Sequence, residues 1–169
     1  AGYDRMLIAK MKDGAEAVTD IGLGEYGPWI IKNFKARDYQ RDGRFRFQIL
    51  ELTQDGSRFK LYQSSINMAE SYSVPASLTQ EVEAVAGPFM EVDDPWAFMD
   101  GWMSSDLYLE QLGLHADWWG NATEYILKNK EWDLAFSWVG TIDHIEHVLY
   151  AGIEPKARVY DLQKADFCW

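Results

Sequence analysis

At 169 residues, with 47% apolar and 15% aromatic content, the chain is long enough and apolar enough to bury a real core, which excludes disorder as a reading of the whole. Sixteen basic against twenty-seven acidic residues leave a formal charge of −11, which repels phosphate backbones and excludes duplex nucleic acid as the expected partner. An anionic substrate is still compatible with this charge if a metal cation meets it, because a bound divalent ion is often the largest charge in a site.

From the N-terminus, "DRMLIAKMKDG" clusters apolar residues from Met6 to Met11 and stops at Asp13-Gly14, which predicts a strand ending in a turn. "GLGEYGPWIIKNF" carries too many glycines for a helix before Trp29, and its glycines lack the Lys-Ser/Thr ending of a P-loop. In "GRFRFQILELTQDGSRFKLYQSS", Phe45, Phe47 and Ile49 alternate with Arg44, Arg46 and Gln48, and Asp55-Gly56 separates this run from Phe59 and Leu61. That pattern predicts a β-hairpin over residues 44–64 with one wet face. Residues 62–77 are loop-rich and form the expected flexible boundary.

After Pro75, Leu78, Val82 and Val85 recur at helical spacing and Gly87 suits a C-terminal cap, so a short helix is expected. The stretch 94–114 predicts two short helices or one broken helix, with Asp93-Asp94 and Pro95 at its start, Gly101 weakening its middle and Gly113 near its stop. "HADWWGNATEYILKNKEWD" predicts a further helix with Trp118, Ala122, Tyr125 and Ile126 on one face, His115 at its exposed start and Lys128 and Lys130 at its end. The eight tryptophans, including Trp118-Trp119, are expected mainly to fill a core.

"DLAFSWVG" follows as a compact apolar run between two helical segments, which predicts a buried strand of a mostly parallel, covered sheet. Ligands collect beyond the carboxyl ends of such strands. There "TIDHIEH" places Asp143 and His147 four apart, on one face of a helix, with His144 turned elsewhere. A hard carboxylate beside an imidazole nitrogen suits zinc or manganese, although a catalytic zinc takes about three protein ligands and no third stands out. The ordinary alternative is that Asp143 or Thr141 caps the helix while His147 packs at its side.

The segment "WDLAFSWVGTIDHIEHVLYAG" resembles the strand and Asp-x-x-x-His motif of the alkaline phosphatase superfamily, in its type I phosphodiesterase and nucleotide pyrophosphatase branch. Residues 1–130, with the hairpin at 44–64, resemble the insertion that proteins of this branch carry, and 131–169 a strand-helix unit of the catalytic sheet. The resemblance implies an α/β class, a partial alkaline-phosphatase-like fold in a single fragment domain, and a metal-dependent phosphoester hydrolase. It implies Asp143 and His147 as ligands of one of two zinc ions, manganese being possible, that clamp a small phosphoester during displacement. The family's nucleophile elbow and its later Asp-His pair have no counterpart here, so an internal piece that is inactive alone is expected. Such a piece would self-associate through exposed sheet edges.

One cysteine, Cys168, makes neither an internal disulfide nor a thiolate zinc cluster. With no apolar stretch of membrane-spanning length, a soluble, cytoplasmic protein is the default expectation. The last residues, "ARVYDLQKADFCW", are expected to start a helix that is cut off in progress. The rival from another class is a non-catalytic, aromatic-rich module that grips a glycan or a protein partner. It predicts several exposed tryptophans in one row and no metal, whereas the hydrolase predicts those tryptophans buried and a carboxylate and an imidazole facing one empty point.

Overall fold

The computed structural model describes residues 2–90, 93–154 and 156. It combines helices and antiparallel strands in two compact units, Ala1–Ala76 and Ser77–Trp169, which divide within the loop-rich stretch 62–77. The expected C-terminal helix and Cys168 lie outside the described residues.

The first unit holds the strands. β1 (Arg5–Ala9) and β2 (Ala17–Gly22) pair antiparallel, joined by a turn in which the Asp13 carboxylate accepts from the Ala15 amide at 2.9 Å. β3 (Ile30–Ala36) and β4 (Tyr39–Phe45) form a hairpin, and β7 (Asn67–Met68) adds to the far edge of β4. β5 (Phe47–Leu52) pairs with β6 (Phe59–Gln63) around the predicted Asp55-Gly56 turn, where Gly56 adopts φ 70°. All these pairings are antiparallel, so the parallel covered sheet expected around residues 133–140 is not formed among the described residues.

The expected wet face of the 44–64 hairpin is partly buried. Arg44 belongs to β4 and donates through Nε and Nη2 to the Met68 carbonyl, while Gln48 donates to the Gly24 carbonyl. Arg46 lies over the Tyr26 ring at 3.8 Å and the Trp29 ring at 4.8 Å. Polar groups with such partners can be buried at little cost, which is why alternation alone misassigned this face.

The second unit is helical. α1 (Ser77–Ala86) ends at Gly87, whose φ of +79° is the left-handed geometry that favours glycine at a helix terminus. Of its apolar triad, Val82 is buried but Val85 is exposed. α2 (Pro95–Met99) starts on Asp94, whose carboxylate accepts from the Ala97 amide at 3.0 Å, and Gly101 at φ +74° turns the chain out of it. α3 (Ser105–Asn129) then runs 25 residues, straight through Gly113. It continues because Leu107, Gln111, His115, Trp118 and Ala122 form one buried stripe whose packing outweighs the roughly 1 kcal/mol that a glycine costs. α1 packs on α3 through the Trp118 indole, which donates to the Gly87 carbonyl at 2.9 Å, and through Tyr125 and Lys130, which both donate to Glu81 Oε2. α4 (Thr141–Ile153) closes the described chain and buries Val148 and Leu149. No described helix is long and apolar enough to cross a membrane.

Candidate functional site

The run expected to be a buried strand, residues 133–139, has no ladder partner among the described residues and is solvated throughout. Phe136 is 91% exposed, and Trp132, Leu134 and Trp138 on the same alternate positions are exposed too. Ser137 and Val139, on the alternate positions, turn towards α3, where Ser137 Oγ lies 3.2 Å from Thr123 Oγ1 and both residues line an open groove with Trp119 and Leu127. A strand needs a neighbouring edge to pair with, and among the described residues the strands that form lie in residues 5–68.

α4 has the predicted register. Asp143 Oδ1 and His147 Nε2 come within 3.4 Å of each other on the outer face, with side chains 57% and 77% exposed. Neither Asp143 nor Thr141 caps the helix, because Gly140 occupies the cap position without a side-chain bond. Two ligands at about 2.1 Å from a tetrahedral ion stand about 3.4 Å apart, so this separation is compatible with zinc, as it is with a plain imidazole–carboxylate contact. The fit covers two ligands only: among the described residues no group of three His, Cys, Asp or Glu side chains is placed to hold a metal.

The inner face of α4 carries a polar network that the sequence did not reveal. His144 Nδ1 meets Asp93 Oδ1 at 2.5 Å, with the Asp93 side chain wholly buried. His144 also stacks on His115, ring centroids 6.2 Å apart and planes 13° from parallel. His115 is not an exposed helix-start residue: it lies mid-helix in α3, 2% exposed, with Nδ1 3.1 Å from Thr141 Oγ1 and Nε2 3.0 Å from the Trp119 indole nitrogen. The sequence signal for its burial is its place in the 107–111–115–118–122 stripe, where a histidine stands at an apolar position.

Tyr108 stands beside the network, next to Asp93. Its hydroxyl and Asp93 Oδ2 are both buried, and neither reaches a partner of hydrogen-bonding geometry among the described residues. Burial first, and the adjacent Asp93 carboxylate second, push the Tyr108 phenol far above its usual range, so it stays protonated.

The chain matches no protein-family model, no curated protein and no solved structure.

Proposed function

We propose that the chain supplies a metal-ligand pair, Asp143 and His147, to a phosphoester hydrolase of the type I phosphodiesterase and nucleotide pyrophosphatase kind. The observation that supports this most is the convergence of Asp143 Oδ1 and His147 Nε2 at 3.4 Å on an open face. Zinc, or manganese on the same donors, would supply positive charge to a phosphoester oxygen and lower the pKa of a nucleophile held nearby. The chain's own residues orient the ion's ligands and leave the outer face accessible to an anionic substrate. The nucleophile, the remaining ligands and the sheet that residues 133–139 would join belong, on this proposal, to sequence flanking the chain in a larger protein of alkaline-phosphatase-like fold. A surface ion pair at i, i+4 is the plain alternative, and it would contribute only about 0.3–0.5 kcal/mol.

Calorimetric titration of zinc decides between these. One weak site that disappears in both Asp143→Ala and His147→Ala is the expected result. Equal zinc binding by the two variants and the parent chain would overturn the metal reading.

Exposure of Trp96, Trp102, Trp132 and Trp138 favours a second reading, a non-catalytic module that stacks a glycan or a partner protein on aromatic rings. Quenching or a blue shift of tryptophan fluorescence on oligosaccharide titration, insensitive to Asp143→Ala, would support it over the hydrolase.

A further inference from the structure

We infer that two polar ties, His115 to Thr141 and Asp93 to His144, set the rotation of α4 about its own axis and thereby aim Asp143 and His147 outward; their role as metal ligands rests on the function proposed above. At about 100° per residue, Thr141, His144 and Val148 form one stripe of α4, and Asp143 and His147 lie about 110° round the helix from its centre. The apolar anchors of the helix, Val148 and Leu149, sit beyond its midpoint, and Gly140 offers no side-chain cap at its start. Apolar burial is non-directional, whereas hydrogen bonds weaken steeply when bent. The first two turns, which carry Asp143 and His147, are therefore oriented by the ties at Thr141 and His144.

The chemistry of each tie is specific. An indole N–H can only donate, so the Trp119 contact makes His115 Nε2 an acceptor and leaves Nδ1–H to donate to Thr141 Oγ1. Asp93, buried and acceptor-only when ionised, takes the Nδ1–H of His144. Ring stacking of His144 on His115 joins the two ties into one unit across α3 and α4. Thr141, His144, Asp93 and His115 are thus positioning residues. A segment of 13 residues is marginal as an isolated helix, so loosening its first turns should also scatter the ligand pair.

Carbethoxylation of each histidine by diethyl pyrocarbonate, read by peptide mass spectrometry, reports which face of α4 meets solvent and needs no metal. In the parent chain His147 should react fastest, His144 about tenfold slower and His115 slowest. Thr141→Val keeps the side-chain shape but removes the acceptor. His144 labelling should then rise about tenfold with most of the far-UV helical dichroism retained, and cobalt(II) affinity should fall by about tenfold as the first turns fray, the size of effect seen when a residue orienting a metal ligand is lost. Thr141→Ser should restore both readouts. Asp93→Asn, which retains an acceptor for His144, should behave as the parent and Asp93→Leu as Thr141→Val, so a misfolded member of one pair leaves the other to decide. Unchanged His144 labelling in folded Thr141→Val and Asp93→Leu overturns the positioning role. Cobalt binding that ignores Asp143→Ala overturns the metal assignment alone, because the labelling order still decides what orients the helix.

Discussion

The Trp119 indole donates to His115 Nε2 at 3.0 Å from one turn further along α3, which holds His115 as the neutral Nδ1–H tautomer inside the second unit. Protonating His115 would place two N–H groups face to face, so the arrangement exists only with the ring neutral. Trp119→Phe keeps most of the ring packing against Phe89 and Trp118 but strands the imidazole acceptor. A loss of about 1 kcal/mol in denaturant unfolding is expected. Nitrogen-15 NMR should show an unprotonated Nε2 on His115 in the parent chain and a loss of that tautomer preference in the variant.

Two glycines predict opposite signs. Neither Gly87 nor Gly113 has an atom within 4 Å of where a Cβ would sit, so no clash complicates either substitution. Gly87 adopts φ +79°, and Gly87→Ala should destabilise by about 1 kcal/mol from backbone strain alone. Gly113 is exposed within regular helix, and Gly113→Ala should stabilise by about 0.5–1 kcal/mol. Melting temperatures of the two variants should move in opposite directions.

At the β5–β6 turn, the Thr53 hydroxyl, then the Ser57 amide and hydroxyl, hold the Asp55 carboxyl down to about 2. A depressed carboxylate contributes stability above its unfolded pKa and loses it as pH falls through the folded value. The contribution of this turn should therefore be intact at pH 5 and disappear between about pH 4 and pH 2. Carboxyl carbon shifts followed by NMR should place the Asp55 midpoint near 2, and Thr53→Val together with Ser57→Ala should return it to the ordinary carboxylate range.

What the sequence made legible follows from how local each signal is. The turn at Asp55-Gly56, the cap at Gly87, the Asp94-Pro95 helix start and the i, i+4 register of Asp143 and His147 are each set by a few adjacent residues, and each has the expected form. Burial of Arg44, Gln48 and His115 depends on partners 24 to 26 residues away, which no periodicity announces. The Asp93–His144 contact spans 51 residues, and its two members read locally as a helix start and a histidine turned away from Asp143 and His147, with nothing to pair them. "DLAFSWVG" shows the reverse failure: its composition asks for a sheet, but composition cannot create the neighbouring strand that a sheet requires.

That apolar run and α4 together give a direct stability contrast. Phe136 is 91% exposed, so Phe136→Ser should cost less than about 0.5 kcal/mol, as surface substitutions usually do. Leu149, buried on the inner face of α4, should cost about 2–5 kcal/mol when cut to alanine, from lost transfer energy and the cavity left behind. Urea unfolding measures both. If Phe136→Ser costs as much as Leu149→Ala, residues 132–138 are packed in solution and the exposed arrangement is wrong. A solvated row of Trp132, Leu134, Phe136 and Trp138 on unpaired backbone also favours association between chains. Sedimentation velocity should show a concentration-dependent larger species in the parent that Phe136→Ser diminishes, because the substitution removes apolar area from the row while leaving the second unit's core intact.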